Sequence, residues 1–178
     1  MYLNHDEIVS LCFSGEMLDW DDACVNAASL DVRLGDTVLF ERAPGRMVNY
    51  GKRERLDMME VKLDAGGIVI KPGDFFLAHT MERCNFHDST AALFRIKSSM
   101  GRIGLEHLDA GWVDPGFHGA LTLEFVNVTQ HHEILIRPGD RIGQLVFFKG
   151  NPVSADQSYR SKGAYNGSDS VVQVRYKE

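Results

Sequence analysis

The sequence predicts an all-β fold, mainly β with one N-terminal α-helix, in which the strands form a barrel or a sandwich. Short apolar stretches recur along the chain between turn residues, a spacing typical of β domains. Helical spacing of apolar residues follows a capping signal only near the N-terminus. The 178 residues, 44% of them hydrophobic, suffice for one domain with a substantial core. We expect a single domain over 1–178, with 151–178 as a C-terminal arm.

The predicted helix lies at the N-terminus. Asn4 can cap it, and Glu7 occupies the third helical position, as in a capping box. Gly15 is expected to end the helix. The apolar residues between these signals share one face, which we expect to be buried: Ile8, Leu11 and Cys12.

Strands are predicted where apolar and polar residues alternate, or where a short apolar run lies between turn signals. They cover residues 30–34, 37–40, 68–70, 75–80, 91–97, 121–128, 134–136 and 142–148. Residues 41–60 are charged and lack a clear period, which predicts a long surface excursion.

Two segments of the chain repeat one pattern. Residues 68–76, IVIKPGDFF, resemble residues 134–142, ILIRPGDRI. Each is an apolar strand followed by a basic residue, Pro, Gly and Asp, and Pro-Gly at these positions is typical of a type II turn. We therefore expect two similar corners in the fold.

Composition excludes several classes of function. The net charge of −6, without a Lys/Arg run, argues against a nucleic-acid partner. No stretch is long and apolar enough to span a bilayer, and the N-terminus does not read as a signal peptide. Three widely spaced cysteines indicate reduced thiols rather than a disulfide framework. We expect a cytoplasmic protein without a membrane partner.

Glu124 is the residue that most needs an explanation. Alternation in LTLEFVN (121–127) puts Glu124 on one face beside Thr122 and Val126, with apolar residues on the other. Burying an unpaired carboxylate in such an apolar strand is costly. Its face therefore either meets water or supplies a partner and a catalytic task.

Five segments in order carry a resemblance to a known family. They are KSSMGRIGL (97–105), Ala110, VDPGF (113–117), Gly119 and the pair Leu123 and Glu124. In this order and spacing they resemble the core of the dCTP deaminase family, within the dUTPase-like superfamily. Weaker similarity extends to LDVRLG (30–35) and RPGDRIGQLVF (137–147).

The resemblance implies a distorted dUTPase-like β-barrel that forms a homotrimer with its sites between subunits. It implies hydrolytic deamination of dCTP to dUTP and ammonia, with dCTP and dUTP as ligands. Three alternatives stay open: a bifunctional enzyme that continues to dUMP and pyrophosphate, a dUTPase, and a nucleotide-binding regulator without turnover.

The resemblance assigns catalytic roles to four residues. Glu124 would accept a proton from water and return it, and Ser98 would hold that water. Arg102 would hold Glu124, and Ala110 would contribute its main-chain carbonyl. Without the resemblance, Glu124 is interpreted as a surface strand carboxylate, Ser98 as a loop serine and Arg102 as a solvated arginine.

Further residues are expected to bind the nucleotide. Asp114 would take the deoxyribose 3′-hydroxyl, and the matching residue of related dUTPases activates the water that attacks phosphorus; alone it is a common turn residue. Lys97 and Ser99 would meet phosphate oxygens. The other expected substrate-binding residues are Met100, Gly101, Phe117, Thr122, Leu123, Tyr159, Lys162 and Tyr165.

The C-terminal arm departs from the family pattern, which has a Lys-Tyr pair and then a glutamine about four residues after the lysine. Aligned on Tyr165, this chain has Ala164 at the lysine position and Ser168 at the glutamine position. Lys162 is the candidate replacement for the lysine, and Tyr159 matches the preceding tyrosine. This departure keeps the regulator hypothesis open.

A zinc-dependent route to the same reaction is not expected. Zinc deaminases need His-x-Glu with Pro-Cys-x-x-Cys, and no Cys-x-x-Cys occurs in this sequence. The segment His131-His132-Glu133 matches only the His-x-Glu part of this signature, and only by its residue types. We expect no protein-bound zinc, and magnesium carried by the substrate triphosphate rather than by a protein cage.

Overall fold

A computed structural model describes residues 1–176 of the chain. Within this range the chain forms three short α-helices: α1 (His5–Phe13), α2 (Ser98–Arg102) and α3 (Tyr159–Lys162). The strands are β1 (Met17–Leu18), β2 (Leu30–Arg33), β3 (Thr37–Glu41), β4 (Met58–Lys62), β5 (Ile68–Ile70), β6 (Phe75–Asn85), β7 (Thr90–Ile96), β8 (Leu105–His107), β9 (Trp112–Val113), β10 (His118–Asn127), β11 (Ile134–Ile136) and β12 (Arg141–Lys149). The prediction of a mainly β chain with an N-terminal helix is confirmed.

The strands form three sheets in which all pairs are antiparallel. The largest has the order β4-β3-β6-β10-β8, with β1 also paired to β6. A second sheet has the order β2-β12-β7-β9, and β5 pairs with β11 in a third. Over residues 1–176 the sheets do not close on one another. The expected distorted barrel is therefore not confirmed.

The N-terminal helix forms as its sequence predicts. Asn4 Oδ1 accepts a hydrogen bond from the main-chain nitrogen of Glu7, and Glu7 Oε2 accepts one from the main-chain nitrogen of Asn4. This is a complete capping box. The helix buries one face through Ile8, Leu11 and Cys12.

The core lies between the sheets and is rich in phenylalanine. The rings of Phe40, Phe76 and Phe125 stack in a row, with centroid distances of 5.3 and 5.5 Å. Phe76 and Phe125 are 0% and 1% exposed, and burial of such a ring contributes roughly 1.5–3 kcal/mol. Because Phe76 lies on β6 and Phe125 on β10, this packing fixes the strand that carries Glu124.

The two repeated segments form similar corners, as predicted. Gly73 and Gly139 have φ of 82° and 88°, the left-handed value that a type II turn requires at this position. The structure adds that the strands before the corners pair with each other, with Ile70 opposite Ile134.

The predicted surface excursion is wrong at its C-terminal end. β4 begins at Met58 and pairs with β3 along its length, with Glu60 opposite Leu39. The strand lies at the edge of its sheet, where charged side chains reach water and protect the open edge. Charge alone therefore did not exclude a strand here.

The described part of the C-terminal arm packs on its own chain. The carbonyl oxygen of Ser168 accepts a hydrogen bond from Ala120 N at 2.7 Å, and Ser168 forms a parallel bridge with Gly119. Gly119 has φ of 120°, and a Cβ there would lie 2.7 Å from the Ser168 oxygen. The contact requires glycine at this position, and it holds the arm against β10.

Cys12, Cys24 and Cys84 are buried free thiols, and burial raises the pKa of Cys12 to about 12. Among residues 1–176, none of the helices has the length and apolar character needed to cross a bilayer.

Candidate active site

A cavity of about 510 Å³ lies beside β10, between the turn that follows β8 and the C-terminal arm. Its volume is within the range of small-molecule sites. It brings together eight of the residues predicted from the sequence: Ala110, Asp114, Phe117, Thr122, Leu123, Glu124, Tyr159 and Tyr165. These residues come from three separate segments of the chain, so the fold assembles the site.

Burial alternates along β10, as its sequence predicts, and Glu124 is one of the residues of this strand that line the cavity. Leu123 and Phe125 are 2% and 1% exposed and belong to the core. The Glu124 side chain is 30% exposed and lines the cavity. Glu124 therefore meets both the open cavity and the buried sheet.

The buried neighbour of Glu124 is His107 on β8, a residue that the sequence analysis missed. Its Nε2 lies 3.5 Å from Glu124 Oε2, and its side chain is 4% exposed. Its Nδ1 accepts a hydrogen bond from Asp109 N at 3.2 Å. Burial alternates over Leu105, Glu106 and His107, but a stretch of three residues is too short to identify a strand from the sequence.

Asp114 supplies a second carboxylate to the cavity. It lies in the exposed turn after β9, and its Oδ1 accepts a hydrogen bond from Trp112 Nε1 at 3.0 Å. Gly116 in this turn has φ of 83°, and a Cβ there would lie 2.1 Å from Ser158 Oγ. The turn is therefore fixed against the C-terminal arm, and it holds Asp114 at the cavity.

Aromatic side chains form one wall of the cavity. Phe117 is 6% exposed and packs against Tyr159 at a ring distance of 5.5 Å. Phe117 is thus a core residue as well as a cavity residue. Burial raises the pKa of the Tyr159 phenol.

The C-terminal arm covers the cavity. Val172 N donates to Thr122 Oγ1 at 3.1 Å, and Val172, Gln173 and Val174 all line the cavity. The arm also approaches the surface excursion, where Tyr176 donates from its hydroxyl to the carbonyl oxygen of Glu54 at 3.0 Å.

Arg175 is another residue that the sequence analysis missed. Its guanidinium donates to the carbonyl oxygen of Ala164 at 3.4 Å and to Ser168 Oγ at 3.0 Å. Its main-chain nitrogen donates to the Tyr165 hydroxyl at 3.3 Å. A cation therefore sits beside the two arm positions at which the sequence departs from the family pattern.

The remaining predicted residues do not line this cavity. Lys97, Ser98, Ser99, Met100, Gly101 and Arg102 lie at α2, which follows β7, and Lys162 donates to Gln157 Oε1 at 2.8 Å. Lys97 Nζ pairs instead with the buried carboxylate of Asp31. Within one chain, the predicted site residues are therefore separated. Those that line the cavity form a cavity set, and residues 97–102 at α2 form a helix set.

Within residues 1–176, no group of three or more His, Cys, Asp or Glu side chains is arranged to hold a metal ion. His131 and His132 are exposed in the turn that precedes β11.

Comparison with known proteins identifies relatives of the whole chain. Residues 3–150 match a family model described as dCTP deaminase-like. A dCTP deaminase of the dUMP-forming type from Persephonella marina is 36% identical over 178 residues, which cover 98% of this chain and 97% of that protein. A protein of the same name from Sulfurihydrogenibium is 37% identical over 180 residues, with the same coverage.

A solved structure agrees with these relatives. The 2′-deoxycytidine 5′-triphosphate deaminase from Agrobacterium tumefaciens superposes with a TM-score of 0.68 at 28% identity. The match covers 84% of this chain and 48% of that one. The similarity therefore extends from the sequence to the fold of most of the chain.

Proposed function

Because the chain belongs to the dCTP deaminase-like family, we propose that it converts dCTP to dUMP by two hydrolytic steps at one site. The first step adds water to dCTP and gives dUTP and ammonia. The second adds water to dUTP and gives dUMP and pyrophosphate. The relatives from Persephonella marina and Sulfurihydrogenibium are both named as dUMP-forming. Their names favour this alternative over our first expectation, in which the reaction stops at dUTP.

One observation carries the proposal: Glu124 and Asp114 line the same cavity. The two steps need water activated at two different atoms, C4 of the base and a phosphorus of the triphosphate. A carboxylate can accept the proton of water in either step. Two carboxylates on separate segments can serve the two ends of one bound nucleotide.

Glu124 is assigned to the deamination step. It accepts a proton from the water that adds to C4 and returns it to the departing ammonia. Its position on the wall of the cavity supports this role, since the water must reach both the carboxylate and the base. Asp114 binds the deoxyribose and activates the second water.

The helix set completes this cavity from a neighbouring subunit of a homotrimer. Ser98 and Arg102 do not reach the cavity of their own chain, yet the family motif joins them to Glu124 in one site. A second copy of the chain resolves this separation. Ile103, at the end of α2, and Leu108, which follows β8, expose apolar side chains. Closed rings are the ordinary assemblies of identical chains.

Magnesium is carried by the triphosphate in this proposal. Mg²⁺ keeps most of its water and prefers phosphate oxygens to an all-protein cage. When bound, it neutralises phosphate charge as pyrophosphate leaves. Lys97, Ser99 and Arg175 are the donors assigned to the remaining phosphate oxygens.

The test is incubation with dCTP and, separately, with dUTP in the presence of magnesium, followed by nucleotide chromatography and ammonia assay. We expect dUMP from both substrates. Accumulation of dUTP alone would favour a deaminase without the second step, and dUMP from dUTP only would favour a dUTPase. Binding without turnover would favour the regulator. As a metal control, exhaustive chelation followed by magnesium alone should restore full activity.

A further inference from the structure

We propose that His107 is a positioning residue for Glu124, to which it donates a hydrogen bond from Nε2 to Oε2. The inference rests on the deaminase function proposed above, and it adds a residue that the family motif in this sequence does not contain. His107 acts through Glu124 and not on the nucleotide.

The first support is that the two atoms face each other without another partner. His107 Nε2 and Glu124 Oε2 are both buried, and neither has a hydrogen-bond partner in the described part of the chain. Leaving such groups unpaired is costly. Their separation of 3.5 Å exceeds an ordinary N–H···O bond, about 2.7–3.2 Å, by a few tenths of an ångström. Catalytic hydrogen bonds commonly shorten to this range when substrate binds.

The second support is the hydrogen-bond pattern of the ring. The main-chain nitrogen of Asp109 can only donate, and it donates to His107 Nδ1. The neutral imidazole then carries its hydrogen on Nε2, which is the nitrogen that faces Glu124. The contact with Asp109 therefore selects the tautomer that can hold the carboxylate.

The third support is that the ring is held in place by its neighbours. Its centroid lies 4.7 Å from that of Phe94 and 5.7 Å from that of Phe125, both in edge-on geometry. His107 and Phe125 are also paired residues of β8 and β10. A bond from this ring fixes Oε2 and leaves Oε1 of Glu124 for the reacting water.

Two substitutions separate the two contacts of the ring. In His107→Gln the side-chain amide reaches the position of Nε2 and can still donate to Glu124. In His107→Asn the side-chain oxygen lies near the position of Nδ1 and can still accept from Asp109, but no donor reaches Glu124. A purely structural role of His107 predicts that the Asn variant is at least as active as the Gln variant.

We expect His107→Asn to lower kcat for dCTP deamination about 10- to 100-fold with little change in KM, the range for loss of a bond to a charged group. His107→Gln should stay within a few-fold of wild type. Equal losses in both variants, or no loss in the Asn variant, would overturn the proposal. Thermal unfolding of both variants identifies any that do not fold.

A second measurement does not depend on activity. Nitrogen NMR of the histidine-labelled full chain should find the hydrogen of His107 on Nε2 and none on Nδ1 at neutral pH. Glu124→Gln should shift the Nε2 resonance, and Glu106→Gln at an exposed position of β8 should not. An unprotonated Nε2, or one insensitive to Glu124→Gln, would overturn the proposal. If wild type does not deaminate dCTP, the proposed function fails and this result still decides the hydrogen bond.

Discussion

The hydroxyl of Thr122 accepts a hydrogen bond from the main-chain nitrogen of Val172 at 3.1 Å. The bond joins β10, which carries Glu124, to the arm that covers the cavity. Because Val172 also lines the cavity, opening of the arm must break this bond. The arm is therefore coupled to the strand that forms the floor of the site.

The first prediction is that Thr122→Val loosens the arm. Valine keeps the shape of threonine but cannot accept the hydrogen bond, whose loss costs about 1 kcal/mol, or roughly a five-fold change in the opening equilibrium. Amide hydrogen exchange over residues 170–174 should accelerate by this factor, while exchange in α1 should not change. Unchanged exchange in the arm would mean that other contacts hold it.

The second prediction concerns acid stability and Glu16, whose side chain is 3% exposed. Burial alone raises the pKa of Glu16, but hydrogen bonds from Lys149, Thr90 and the His87 main chain outweigh it and lower the pKa below 4.5. The unfolded chain then binds a proton more readily than the folded chain. Ionised Glu16 therefore stabilises the folded state at neutral pH. This stabilisation is lost as the pH falls below 4.5 through the folded-state pKa of Glu16.

The measurement is urea unfolding of wild type and Glu16→Gln at pH 7 and at pH 3.5. Wild type should lose more free energy of unfolding on acidification than the variant, because glutamine does not titrate. Glu106→Gln serves as the control, since Glu106 is exposed. An equal acid loss in wild type and Glu16→Gln would contradict the assignment.

The third prediction is a homotrimer with shared sites. Light scattering during size-exclusion chromatography should give the mass of three chains. Arg102→Ala and Glu124→Gln should each be inactive alone, because each removes one half of every site. Trimers reassembled from an equal mixture should place an intact Arg102 beside an intact Glu124 in roughly one site in four. A fully active monomer, or no recovery on mixing, would count against shared sites.

The parts of the fold that could be predicted are those encoded locally. The capping box at Asn4 and the alternation around Glu124 each lie within a few residues, so the sequence alone identifies them. β4 and β8 could not be recognised in the same way, because their short strands gain stability from pairing with β3 and β10. Edge strands also tolerate charge, which hid the strand at Met58.

The candidate site shows the same division. The family motif led to Glu124 and Asp114, and the fold brings both to one cavity. His107 was missed because its importance depends on a distance to Glu124 across two strands, which no local pattern encodes. The sequence also could not show that Ser98 lies away from the cavity of its own chain. Residues of one family motif need not lie close together within a single folded chain.

The fourth prediction is that Asp114→Asn suppresses dUTP hydrolysis more than dCTP deamination. The asparagine oxygen can still accept from Trp112 Nε1, so the turn should keep its shape. The amide cannot accept a proton from the water that attacks phosphorus, and this loss typically costs ~10²–10⁴ in rate. Parallel turnover assays with dCTP and dUTP give the comparison, and weaker sugar contact should raise KM for both.

The control for this prediction is Trp112→Phe. It removes the donor to Asp114 but keeps the carboxylate, so it should affect both reactions alike. If Asp114→Asn slows deamination and dUTP hydrolysis equally, Asp114 serves only to bind the sugar.

The fifth prediction is that Glu124→Gln abolishes deamination and largely preserves nucleotide binding. Glutamine keeps the size of the side chain and can still accept from His107 Nε2, so the cavity should keep its shape. It cannot take the proton of water, and we expect kcat to fall by ~10²–10⁴ or more. Steady-state turnover of dCTP measures the loss, and calorimetry with dCTP measures binding.

Two comparisons make the Glu124 result specific. Glu106→Gln makes the same chemical change at an exposed position of the neighbouring strand and should leave turnover unchanged. Hydrolysis of dUTP by Glu124→Gln should survive, because that step is assigned to Asp114. If Glu124→Gln deaminates dCTP within a few-fold of wild type, Glu124 does not move the proton, and the two carboxylates of the cavity do not divide the two steps as proposed.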